Sequence, residues 1–138
     1  MGDLRSIAQG CEDLGVVALT RSDLDRAAVS LKESIALSLE VGQSELVASG
    51  LMGLGVVTAR EQPMRAARHF GAAEALREVV GVTIWPPRRK LCDHALEAVR
   101  DALGAAAFAA AWAEGSAMTL ERAVEYALER DTTAPMAP

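Results

Sequence analysis

Residues that could do chemistry are few in this 138-residue chain, and the densest group is Cys92-Asp93-His94. A thiolate, a carboxylate and an imidazole are the groups that bind zinc or cooperate in nucleophilic catalysis. Neighbouring residues on a helix diverge by about 100°, however, so these three side chains do not converge on one metal or substrate. We therefore predict no metal site here and expect Cys92 to pack as a small apolar residue.

His69 is the other isolated candidate. Beside Phe70 it is expected to be a residue of the surface or its boundary, and the alternative role is that of a ligand. The chain also contains no nucleophile elbow, no phosphate-binding glycine loop and no dinucleotide fingerprint. We predict that the protein is not an enzyme, with no catalytic residue and no cofactor.

One basic cluster contains an aromatic residue, Trp85-Pro86-Pro87-Arg88-Arg89-Lys90. Arg88, Arg89 and Lys90 are candidate contacts for a phosphate or another anion. The alternative, which we favour, is an exposed connector whose tryptophan covers the edge of the core, since so short a cluster supplies few phosphate contacts. The whole chain carries 14 Lys+Arg against 19 Asp+Glu, a net charge of −5, which argues against direct nucleic-acid binding.

Targeting signals are not apparent in the sequence. Charged residues interrupt every apolar stretch before it reaches the roughly 18 residues that a bilayer span needs. The start, Met1-Gly2-Asp3-Leu4-Arg5, lacks the basic and apolar regions of a signal peptide, and the two cysteines are too far apart to suggest a disulfide framework. We expect a cytoplasmic protein that does not engage membranes.

The elements that must position any site are predicted to be helices. Alanine is the commonest residue and aromatic residues make up only 4% of the chain, as in closely packed helices of an all-α fold. Leu14-Gly15-Val16-Val17 recurs 40 residues later as Leu54-Gly55-Val56-Val57, and Arg26-Ala27-Ala28 recurs as Arg65-Ala66-Ala67. Each unit is predicted to be a helix hairpin, with helices at 3–20 and 23–41 and then at 44–60 and 63–80.

The second half of the chain follows a different pattern. Consecutive prolines predict a non-helical connector over 82–87. Helices are expected at 88–103, 105–114 and 120–129, with Gly104 and Gly115 as breaks and Thr119 as a cap. The predicted organisation is two hairpins in 1–81, a Pro-rich connector in 82–87, a C-terminal helical cap in 88–130 and a flexible tail in 131–138.

The two hairpins resemble tetratricopeptide repeats. That family has a Leu-Gly pair in its first helix, then a small, a bulky and another small residue in its second. The matching positions are Leu14, Gly15, Ala27, Leu31 and Ser34 in the first unit, and Leu54, Gly55, Ala66, Phe70 and Ala73 in the second. The resemblance implies antiparallel hairpins stacked into a right-handed superhelix.

The 40-residue spacing, longer than the usual 34 or so, resembles the helical arm of large bacterial signalling ATPases, including LuxR-type transcriptional regulators. The segments Gly71–Arg77, Phe108–Gly115 and Thr119–Ala123 are similar to the C-terminal end of that arm. The resemblance implies a non-catalytic protein–protein interaction or regulatory scaffold within a larger protein. Any DNA binding would then belong to a neighbouring domain.

The same resemblance implies a groove lined by the first helix of each hairpin. Its residues would be Glu12, Val16, Leu19, Met52, Val56 and Arg60. Such a mostly apolar groove suits an amphipathic helix from a partner or from the protein itself. Two alternatives stay open: a small-molecule sensor that holds an apolar effector in the groove, and residues that merely pack against neighbouring helices.

Two repeat units are fewer than the three or so that usually make a stable array. The N-terminal face from Leu4 to Leu19 is therefore expected to be covered by upstream repeats of a longer protein, or by a second copy of this chain in a homodimer.

Overall fold

A computed structural model describes residues 3–81 and 86–129, with the side chains of 86–88 left aside. Within these ranges 87% of the residues are helical and no strand occurs, so the predicted all-α class is confirmed. The seven helices are α1 (Leu4–Thr20), α2 (Leu24–Val41), α3 (Ser44–Thr58), α4 (Pro63–Val80), α5 (Pro86–Leu103), α6 (Ala105–Ser116) and α7 (Leu120–Leu128). In the described part of the chain, none of them is long and apolar enough to cross a membrane.

Local capping signals explain where these helices begin and end. The side chains of Asp3, Asp23 and Thr119 accept hydrogen bonds from backbone N–H groups of the first turns of α1, α2 and α7, which otherwise have no partner. At the other end of α2, Gly42 adopts the left-handed conformation with φ 74°, where a Cβ would be strained. Gly104, with φ 82°, separates α5 from α6 as expected.

Three sequence expectations about helix ends were wrong. Helix α3 ends at Thr58, two residues before the predicted end at residue 60. Helix α5 begins at Pro86, two residues before the predicted start, because prolines in a first turn remove N–H groups that have no intrahelical partner in any case. Helix α6 does not stop at Gly115 but continues to Ser116. The other connector residues, 82–85, and the predicted tail, 131–138, lie outside the described residues.

The two hairpins share one internal contact. A Cβ added to Gly15 would lie 2.7 Å from the Leu31 side chain, and a Cβ added to Gly55 would lie 2.7 Å from the Phe70 ring. The glycine of the first helix thus makes room for the bulky residue of the second in both hairpins. Helix α3 also packs on α2, joining the hairpins through a core that includes the fully buried Ile35.

Helices α4 and α6 cross at two glycines. A Cβ at Gly71 would collide with the carbonyl oxygen of Trp112, and a Cβ at Gly115 would collide with the carbonyl oxygen of Arg68. The two backbones therefore touch where they cross. Helix α5 packs on α3, α4 and α6, and the Arg100 guanidinium lies 4.9 Å from the centroid of the Phe108 ring.

The short helix α7 packs on α2, α3 and α4 and so connects the first hairpin to the end of the stack. The Arg65 guanidinium donates hydrogen bonds to the carbonyl oxygens of Tyr126 and Glu129 at the C-terminal end of α7. Arg68 donates to Glu114 of α6 over 3.0 Å and to the Tyr126 hydroxyl over 3.3 Å. Arg65 and Arg68 of α4 thereby hold α6 and α7 in position.

Candidate functional site

The six residues of the expected groove do not form one open surface. Glu12, Leu19 and Met52 are buried, Val16 and Val56 are half-buried, and Arg60 is exposed. Two of them, Glu12 and Met52, lie in the interior, and three, Leu19, Val56 and Arg60, line an open cleft.

Glu12 belongs to the first group. Its carboxylate accepts a hydrogen bond from the Ser49 hydroxyl over 2.7 Å, and only 5% of the residue is exposed. A buried carboxylate requires such hydrogen-bond donors, because burial removes its hydration. Glu12 therefore links α1 to α3 rather than presenting a charge to a ligand. Met52 likewise lies in the apolar core.

Leu19, Val56 and Arg60 belong to the second group, since they line a cleft of about 450 Å³ between the hairpins and α5. Leu24 at the start of α2 lies at the same cleft. Helix α5 supplies the opposite wall, with Leu91, His94, Ala95 and Ala98. This wall was missed by the sequence reasoning, because no local pattern indicates that α5 packs on α3 and lines a cleft with the end of α1.

The lining of the cleft contains few ionisable groups. Its lining is mostly aliphatic, and the ionisable side chains among its lining residues are Arg60 and His94, both on exposed residues at the rim. Apolar walls with a few polar groups at the edge are typical of sites that recognise an apolar ligand or the apolar face of a helix.

His69, expected at the surface, is buried instead, with 2% of the residue exposed. Its ring lies 5.4 Å from the Tyr126 ring, centroid to centroid. Burial lowers the pKa of His69 to about 3, and the positive charges of Arg65, Lys32 and Arg68 contribute to the shift. The imidazole is thus a neutral component of the packing between α4 and α7.

The Cys92-Asp93-His94 group diverges as expected. Cys92 is buried, whereas Asp93 and His94 are exposed. Within residues 3–81 and 86–129, no three His, Cys, Asp or Glu side chains gather closely enough to hold a metal ion.

Of the candidate anion contacts, Arg89 and Lys90 are exposed on the first turns of α5. The backbone of Arg88 is helical, and its side chain lies outside the described residues, as does the whole of Trp85. Whether this cluster contacts an anion therefore stays a prediction.

Comparisons of the chain with protein-family models, with curated proteins and with solved structures give no match.

Proposed function

We propose that this protein is a tetratricopeptide-like helical scaffold that binds an amphipathic helix of a protein partner and catalyses no reaction. We further propose that it is the C-terminal part of a larger bacterial transcriptional regulator or signalling ATPase. Support for the repeat comes from the paired contacts Gly15–Leu31 and Gly55–Phe70, which occupy equivalent positions in consecutive hairpins. Such hairpins stack with a small rotation between units and produce a right-handed superhelix with a concave surface.

The observation that carries the binding role is the cleft between the hairpins and α5. Its volume of about 450 Å³ and its aliphatic walls suit the apolar side chains that a helix presents at three- and four-residue spacing. Arg60 and His94 at the rim can then contact polar groups on the flanks of that helix. A helix is favoured over a charged peptide because the walls carry aliphatic rather than ionic side chains.

A selection from displayed amphipathic helical peptides against the full chain tests this role. Leu24→Glu and Ala98→Glu place carboxylates on opposite sides of the cleft, at residues exposed enough to accept them without unfolding the chain. We expect each to weaken the selected peptides at least tenfold, measured by fluorescence anisotropy.

Val79→Glu is the matched control, because Val79 is 83% exposed on α4 and lies outside the cleft. It should leave the peptide affinity unchanged. If the selected peptides bind both cleft variants with unchanged affinity, the cleft is not the binding site.

The second candidate function is that of a small-molecule sensor. The same volume lies within the range of about 300–1,000 Å³ that small ligands occupy. An apolar effector bound there would raise the melting temperature of the chain in proportion to its occupancy. A thermal-shift screen with apolar compounds distinguishes the two functions, because a scaffold responds only to protein partners. Ala98→Glu should abolish the shift if the effector binds in this cleft.

A further inference from the structure

The outer face of α1 carries an exposed apolar stripe on the side away from the cleft. Ile7, Gly10, Leu14 and Val17 follow one another at intervals of three, four and three residues, the spacing of a two-helix seam. Ile7 is 46% exposed, Leu14 is 64% exposed and Val17 is 47% exposed. Large aliphatic side chains aligned in this way on one helix indicate a contact surface.

The equivalent face of α3 is an example of such a stripe that is covered by another helix. Val47 and Leu54, 40 residues after Ile7 and Leu14, are 0% and 1% exposed. Gly50, the counterpart of Gly10, lies against α2, and a Cβ there would be 2.5 Å from Ile35. At Gly10, by contrast, nothing among the described residues lies within 4 Å of an added Cβ. The α1 stripe therefore has the form of a helix-packing face that none of the described helices covers.

The stripe is complementary to the same stripe on a second copy of the chain when the two α1 helices are antiparallel. The four positions are symmetric about residue 12, so Leu14 of one copy faces Gly10 of the other, and Ile7 faces Val17. Leu14, the most exposed of these side chains, thus fills the open space at Gly10 of the other copy, and the contact occurs twice in the dimer. The same symmetry places Asp3 opposite Arg21, so that opposite charges meet at both ends.

The neighbouring surface supports the same pairing. A groove of about 500 Å³ runs between the C-terminal half of α1 and the start of α2, where Val17 and Val29 form apolar walls. In the antiparallel arrangement the N-terminal half of the second α1 lies beside this groove. Its Leu4 and Ile7, 39% and 46% exposed, are the side chains available to fill it.

We propose that two copies of this chain form a twofold dimer through antiparallel α1 helices, with Leu14 of each copy packed on Gly10 of the other. This pairing is separate from the cleft and independent of the proposed peptide binding, and it is the alternative to a cover of the α1 face by upstream repeats of a longer protein. A head-to-tail array is disfavoured because the other end of the stack, α4, is already covered by α6 and α7. The antiparallel contact has closed twofold symmetry, so the assembly contains two copies and does not grow further.

Sedimentation equilibrium of the full chain from 5 µM to 1 mM tests the proposal. We expect a reversible dimer whose dissociation constant rises at least 30-fold in Leu14→Asp. Val79→Asp makes the same chemical change at another exposed position, on α4, and should change that constant less than twofold. Because Leu14 is 64% exposed, the variant should keep the helical circular-dichroism spectrum.

Arg21→Gln tests the direction of pairing. In the antiparallel dimer it removes the attraction to Asp3 and should weaken association about threefold at low salt. In a parallel pair Arg21 would face its own copy, and the same variant would strengthen association. Three results would overturn the proposal. The chain could stay monomeric at 1 mM, Leu14→Asp and Val79→Asp could weaken dimerisation equally, or Arg21→Gln could dimerise more tightly.

Discussion

Glycines inside the helices of this chain have different surroundings that their residue type does not reveal. Gly10 faces open space on α1, whereas Gly71 and Gly115 lie where α4 and α6 touch. We expect Gly115→Ala to destabilise the fold by roughly 1–3 kcal/mol, because the added methyl group meets the backbone of Arg68, which cannot move aside as a flexible side chain would. Urea unfolding followed by circular dichroism measures the change.

Gly10→Ala is the matched control at a helical glycine. It should stabilise the monomer by about 0.5–1 kcal/mol, since alanine costs less conformational entropy in a helix. Equal effects of the two substitutions would show that the α4–α6 crossing is looser than described.

His69 makes stability depend on pH. The unfolded chain has an imidazole with its ordinary pKa of about 6.5, whereas burial lowers the pKa of His69 in the folded chain to about 3. Between these values only the unfolded chain binds the proton. The stability contributed by the neutral His69 is therefore complete above pH 6.5 and is lost as the pH falls toward 3, by up to about 1.4 kcal/mol per pH unit.

His69→Phe should remove this dependence while keeping an aromatic ring against Tyr126. The free energy of unfolding, measured from pH 7 to pH 4, should fall less steeply in the variant than in the original chain. His94→Gln, at an exposed histidine, should keep the original slope. If the free energy of unfolding of His69→Phe and of the original chain falls equally with pH, the neutral state of His69 is contradicted.

At the scale of elements, α7 depends on α4 for its position. This nine-residue helix is too short to be stable alone, and Arg65 holds its C-terminal end by two carbonyl groups. We expect Arg65→Met to raise hydrogen exchange of the α7 amides at least tenfold and to leave α1 and α2 unchanged. Arg26→Met, at an exposed pair with Asp23, should change neither region.

Helix positions were predictable because their signals are local. Asp23, Gly42, Gly104 and Thr119 act through their own backbone neighbours, and the structure places helix ends at all four. Gly115 was misread as a stop because its role depends on the backbone of Arg68, far away in the sequence. His69 was misplaced for the same reason, since α7 covers it.

The cleft was only half predictable. The resemblance to tetratricopeptide repeats implied that Leu19, Val56 and Arg60 share a surface, and all three line the cleft. Helical periodicity says which face of α5 is apolar but not which helices it crosses, so Ala95 and Ala98 were not anticipated.

At the scale of the whole molecule, the two halves of the stack should unfold together. Helix α7 contacts α2 as well as α4, and α5 contacts α3, so neither hairpin is independent of the C-terminal helices. In a Trp85→Phe chain, Trp112 alone reports on the cap by fluorescence. We expect its urea transition to coincide with the loss of helix measured by circular dichroism. Transitions separated in urea concentration would show independent halves.

The crossing of α4 and α6 also sets an order of folding. The contacts Gly71–Trp112 and Arg68–Gly115 span 41 (112 − 71) and 47 (115 − 68) residues, whereas Gly15–Leu31 and Gly55–Phe70 span 16 and 15. Short loops close at lower entropic cost, so we expect the hairpins to form early and the α4–α6 contact to form after the rate-limiting barrier. Gly115→Ala should then accelerate unfolding and leave the refolding rate nearly unchanged in stopped-flow measurements. The backbone contact between Gly115 and Arg68 would thus determine how long the folded chain persists, and not how quickly it forms.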